Sequence, residues 1–66
     1  MAGATRKVRI PSPAEIRRLR GGRTQAEVAA IVGVGQSLWA RWENGERVPS
    51  RQSTMLLEML KMGKLR

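Results

Sequence analysis

TQAEVAAIVGVGQSLWARWENG, residues 24–45, holds two short helical patterns joined by a glycine-containing turn, and both tryptophans of the chain lie inside it. Its first four residues, Thr24-Gln25-Ala26-Glu27, have the form of a capping box. In that device a threonine hydroxyl and a glutamate three residues on satisfy free amides of a first helical turn. A helix therefore starts at Gln25 and runs over 25–32. Val28, Ala29 and Val32 form its apolar stripe, and Gly33 follows where a left-handed cap costs least. The chain turns at Gly33-Val34-Gly35 into a further helix, 36–44, closed by Gly45. At about 100° per residue, Leu38, Trp39 and Trp42 share one side of it, while Gln36, Ser37, Ala40, Arg41 and Asn44 share the other.

Working outward, Ser12-Pro13-Ala14-Glu15 is a second capping box with proline at the first helical position. It predicts a helix from near Pro13 that turns Ile16 and Leu19 inward and ends at Gly21-Gly22. Beyond the loop Glu46-Arg47-Val48-Pro49, Ser50 caps a last helix that carries Met55, Leu56, Leu57, Met59, Leu60 and Met62 up to Gly63. Residues 1–10, with Arg6, Lys7 and Arg9 and no helical period, read as a flexible basic arm. Residues 63–66 read as a basic tail, which leaves 11–62 as the folded domain. No strand alternation or internal repeat is present, so the expected fold is all-α.

Composition narrows the function. The 66 residues have room for one small domain, and a chain this short buries only about 60% of its unfolded surface. Without cysteine or histidine, neither a disulfide framework nor a Cys/His metal site can be built. Asp and Tyr are also missing, so acid–base chemistry would fall on five glutamates, and no catalytic activity or cofactor is expected. Thirteen Lys and Arg give a net charge of +8, the footprint of a phosphate-rich partner. No apolar run approaches the ~18 residues of a membrane span, and the N-terminus lacks the apolar core of a signal peptide. A cytoplasmic location at the nucleoid, with no membrane partner, is the expectation.

Two helices joined by a three-residue turn, the second with a polar face beside an apolar one, describe a helix-turn-helix. Ala29, four residues before Gly33, is small where the two helices cross. Trp39, Trp42, Ala29 and Gly33 are the expected structural core of the unit. Over residues Ser12 to Leu60 the sequence resembles the lambda-repressor-like, Cro-type (XRE) family of DNA-binding domains. The resemblance is carried by Thr24-Gln25-Ala26-Glu27-Val28-Ala29, Gly33-Val34, Trp42-Glu43-Asn44-Gly45 and Pro49-Ser50. It is nearest in look to short bacterial antitoxins and small phage regulators, and it implies a compact domain of four helices, or five as is common in the family.

On that resemblance, the helix 36–44 enters the major groove of double-stranded DNA. Gln36 suits paired hydrogen bonds to adenine, Arg41 to guanine, Ser37 to either kind of base, and Ala40 the thymine methyl. The family implies phosphate contacts by the Gln25 side chain and the adjacent helix-terminal amides, and by Arg23, Asn44 and Arg47. It also implies that Glu43 pairs with an arginine at the end of the first helix. Arg20 is nearest, but the link Gly21-Gly22-Arg23 is shorter than is usual, which keeps Arg17 and Arg18 as alternatives. Gly35 stands where Ser or Thr usually caps the reading helix.

Met55, Met59 and Met62 form a stripe that one small core cannot cover, which points to a homodimer through the last helix. A methionine stripe is also a common core feature. The expected function is a sequence-specific transcriptional regulator, a repressor of its own operon bound to a palindromic operator. The alternatives are an antitoxin-like module whose main partner is a protein, a toxin or another regulator, and a nonspecific basic architectural binder.

Overall fold

The computed structural model describes residues 9–64, which form four helices. These are α1 (Pro13–Arg20), α2 (Gln25–Val32), α3 (Gln36–Asn44) and α4 (Arg51–Lys61). Arg6 and Lys7 of the basic arm, and the last two residues of the tail, lie outside the described residues.

Each boundary has a local cause. At α1 the Glu15 amide donates to Ser12 Oγ at 3.2 Å and the Ser12 amide donates back to Glu15 Oε1 at 2.8 Å. Thr24 and Glu27 repeat the exchange at α2, at 3.0 and 2.8 Å. Both are complete capping boxes that satisfy amides a helix start otherwise leaves free. Ser50 caps α4 by accepting from the Ser53 amide at 3.1 Å. Gly33 ends α2 at φ 92° and donates to the Ala29 carbonyl at 2.8 Å. Sequence reading grouped Gly33 with the core, but the residue is exposed. Its part is the left-handed backbone that turns α2 into α3, which a residue with Cβ adopts only at a cost.

All four helices supply the core: Ile16 from α1, Val28, Ala29 and Val32 from α2, Trp39 and Trp42 from α3, Leu57 and Leu60 from α4. Helices α1 and α2 each pack on both α3 and α4. The tryptophan rings sit 5.6 Å apart between centroids at an interplanar angle of 57°. They are 0% and 2% exposed, so neither has a free face on which a base could stack. At ~150–250 Å² each and ~25 cal/mol per Å², they are each worth roughly 4–6 kcal/mol as an upper bound. No other side chain here buries as much, which is why the pair decides how α3 is seated.

One polar residue of α4 is also inside. Thr54 is 2% exposed, and its hydroxyl donates to the Ser50 carbonyl at 2.8 Å, so it brings no unsatisfied group into the core. Along the same helix and at its C-cap, Met55, Met59 and Met62 are 52%, 39% and 61% exposed.

Candidate nucleic-acid interface

The α3 helix divides cleanly by face. Trp39, Trp42 and Glu43 are buried, while Gln36, Ser37, Arg41 and Asn44 are exposed and Ala40 is half-buried. Four of these five polar-side residues therefore stand clear of the protein on the surface that α3 turns away from α1 and α2. At the start of the helix, Gly35 offers no side-chain cap, and no acidic residue lies in the first turn. The first amides of α3 and the positive end of its dipole are left beside Gln36 and Ser37. At its other end Gly45 adopts φ 78°, and the amides of Glu46 and Arg47 return to the Arg41 carbonyl at 2.9 and 3.4 Å. This folds the loop back under the helix and leaves the Arg47 side chain exposed.

What holds this face in place is a single buried carboxylate. Glu43 is 4% exposed and accepts from three side chains on three helices. Arg20 of α1 donates through Nε to Oε2 at 2.6 Å and through Nη2 to Oε1 at 3.3 Å. The Trp39 indole Nε1–H donates to Oε2 at 2.5 Å, and the Gln25 amide of α2 donates to Oε1 at 3.2 Å. Arg17 completes the joint by donating to the Glu43 carbonyl at 3.0 Å, near the C-terminal end of α3 where a cation is favoured.

Of the three arginines open to sequence reading, Arg20 takes the carboxylate, Arg17 takes the main chain and Arg18 stays exposed. Burial pushes the Glu43 carboxyl up, but the hydrogen bonds from Arg20, Trp39 and Gln25 outweigh it and hold the group below the ordinary carboxylate value.

The remaining expected contact residues are spread around this joint. Arg23 is exposed in the link before α2, and its carbonyl accepts from Arg20 Nη1 at 3.3 Å. Gln25 is half-buried, with its side-chain amide turned inward to Glu43. Arg9, the one cation of the arm among the described residues, is exposed and lies 4.0 Å from Glu15. It stands at one end of an open groove of about 820 Å³ between α1 and α4, floored by Pro11, Leu19, Met55, Leu57 and Met59.

Sequence reading missed the carboxylate donors Trp39 and Gln25, and it kept Arg17 as a partner for the Glu43 carboxylate, not for its carbonyl. Trp39 and Glu43 are four apart on one helix, a spacing that could have shown the first of them. Gln25 comes from α2, and nothing local marks it.

The model of the helix-turn-helix domain family matches residues 11–61, and the chain belongs to that family. Neither a curated protein nor a solved structure matches it. The family match agrees with the lambda-repressor-like resemblance and with an all-α fold, and it supports DNA binding. Among the described residues no helix is long and apolar enough to cross a membrane.

Proposed function

We propose that this helix-turn-helix protein is a sequence-specific regulator of transcription, a repressor of its own operon that binds a palindromic operator as a homodimer. The observation that supports the reading best is the exposed set Gln36, Ser37 and Arg41, standing on α3 across from a face clamped by Trp39, Trp42 and Glu43. A helix held that firmly can present donors and acceptors to base edges at a fixed angle. In the major groove, Gln36 would pair with adenine N6 and N7 and Arg41 with guanine O6 and N7, each discriminating by about 1–3 kcal/mol. Ser37 adapts to either base, and the half-buried Ala40 meets a thymine methyl only where α3 lies deep.

Phosphates would be met by Arg23, Asn44 and Arg47, which are exposed at the two ends of the unit, and by the main-chain amides at Gln25 and Ala26. These contacts position the protein without reading sequence. Arg6, Lys7 and Arg9 of the arm, residues 1–10, add charge beyond the domain 11–62, and the tail 63–66 does likewise. Two copies would meet through Met55, Met59 and Met62, whose exposure leaves an apolar stripe free along α4 and its C-cap. The same stripe supports a second reading, an antitoxin-like module for which a protein is the main partner and DNA a secondary one. Neither reading calls for catalysis or a cofactor, and both place the protein in the cytoplasm.

Selection of bound duplexes from a random library tests the proposal. The expected outcome is a palindromic consensus bound ~10³-fold or more above random DNA, weakening steeply with salt for about six or more phosphate contacts. Equal binding to random duplex would leave only a nonspecific basic binder.

A further inference from the structure

The Gln25 side chain stands at the first position of α2, where the resemblance implies a phosphate contact. Its amide points the other way. Nε2 donates to Glu43 Oε1 at 3.2 Å, and the residue is half-buried. On Glu43 the two oxygens are unequally served. Oε2 receives Arg20 Nε at 2.6 Å and Trp39 Nε1 at 2.5 Å, whereas Oε1 receives only Arg20 Nη2 at 3.3 Å besides Gln25. Gln25 is thus half of the support of one oxygen of a carboxylate that is buried and cannot turn to water. It is also the one side chain of α2 that reaches Glu43. Arg20 and Arg17 tie α1 to α3, and Trp39 belongs to α3 itself.

We infer that Gln25 is a positioning residue for DNA reading: through Glu43 it locks the N-terminus of α2 to α3, so that a phosphate gripped at α2 fixes where Gln36, Ser37 and Arg41 fall in the groove. The inference rests on the DNA-reading role proposed above. The phosphate grip itself would fall to the main-chain amides of Gln25 and Ala26, as in the function proposed above. The carboxylates of Thr24's capping partner Glu27 and of Glu43 are both engaged with donors, and the charged groups facing Gln25 at the joint are Glu43 and Arg20.

The test is Gln25→Met, which keeps the length of the side chain and removes its donor, with Gln25→Ala as a second variant. In the free protein, NMR should show the Glu43 carboxyl titrating at higher pH than in the parent. The Trp39 indole N–H resonance, whose acceptor is the same carboxylate, should shift as well. Unfolding by urea should become easier by roughly tenfold in the equilibrium constant, the effect of losing about one buried hydrogen bond. On duplexes selected by the parent and on random duplexes at one salt concentration, the ratio of the two affinities should fall several-fold.

A side chain that merely touches phosphate would weaken both duplexes alike. Uniform weakening, an unchanged ratio, or a Glu43 titration and indole resonance identical to the parent's would each overturn the assignment. The titration and the indole shift are read without DNA, so their failure is separate from any failure of the parent to select a sequence.

Discussion

Replacing Arg20 by methionine isolates the ionic part of the joint under α3. Removing one partner from a buried ion pair generally costs ~3–5 kcal/mol, because the other charge stays behind unpaired. Here the Glu43 side chain is 5% exposed and that of Arg20 is 29% exposed. Water can therefore reach the arginine side of the pair, and the Trp39 and Gln25 donors stay on the carboxylate when the arginine is gone. The cost for Arg20→Met comes down to roughly 2–3 kcal/mol. Against a total of ~3–10 kcal/mol for a chain of this length, that lowers the melting temperature by roughly 10–20 °C.

Glu43→Gln should cost less, about 1–2 kcal/mol, since its one carbonyl oxygen can keep the Arg20 Nε and Trp39 donors, its NH2 can donate to a flipped Gln25 amide, and the arginine left behind is partly solvated. Combining Arg20→Met with Glu43→Gln removes both charges at once. Its cost should fall short of the sum of the single costs by about 1.5–3 kcal/mol, as expected for groups in direct contact. Urea unfolding followed by circular dichroism and tryptophan fluorescence measures all four proteins. Additivity to within ~0.5 kcal/mol would mean that the pair has no net coupling and that the reasoning from burial is wrong.

The same cycle predicts the pH dependence. Glu43 titrates lower in the folded protein than an ordinary carboxyl, so its contribution is present above the unfolded value of about 4.3 and is lost as pH falls through the folded value. The parent should therefore lose stability in acid more steeply than Glu43→Gln. Glu15, lowered mainly by the hydrogen bond from the Ser12 amide, adds to the acid limb of both proteins equally. Parallel acid limbs would show that the Glu43 carboxylate carries no folded-state preference for its charged form.

Gly35→Ser supplies the missing cap of α3 in open space, since nothing lies within 4 Å of an added Cβ, and should stabilise by a few tenths of a kcal/mol. Gly33→Ala at φ 92° should instead destabilise by about 1–2 kcal/mol, because its backbone and not its space is the restriction. Thermal melts of the two distinguish a cap from a strained turn, and the same sign for both would contradict this account of the turn. Arg41→Ala and Gln36→Ala should each relax selection at one base pair per half-site, whereas Arg47→Ala should weaken every duplex and reduce the salt slope by about one. Repeating the duplex selection with each variant reads this directly. Met62→Glu, at the most exposed methionine of the stripe, should leave the melting temperature of a dilute sample unchanged and abolish dimers in light scattering, and a dimer that survives it would move the contact elsewhere.

How far such a chain can be read before folding depends on the distance over which each feature is decided. The four helices end where they do because of bonds spanning three or four residues: Ser12 with Glu15, Thr24 with Glu27, Ser50 with Ser53, and Gly33 with Ala29. Every one is visible as a local pattern, and so is the division of α3 into two faces, which needs only the helical period. The joint at Glu43 is decided otherwise. Its donors Arg20 and Gln25 lie 23 and 18 residues away. Which of three nearly consecutive arginines arrives depends on the face that α1 buries: Arg20 is four residues on from the buried Ile16, while Arg17 and Arg18 are exposed. Family likeness supplied a glutamate–arginine pair but not the Gln25 donor beside it, because likeness carries a residue's type and position and not the direction of its side chain.

Trp39 shows why the two kinds of information meet in the core. Eight buried apolar residues are few, and an aliphatic side chain at this position would fill space while leaving Glu43 Oε2 to Arg20 alone. An indole fills the larger volume and brings an N–H to a carboxylate that burial would otherwise make expensive. That requirement, volume and a donor from one side chain, accounts for a tryptophan at 39 in a chain that has no Phe or Tyr. It also makes the residue that anchors α3 the one that helps keep its ion pair charged.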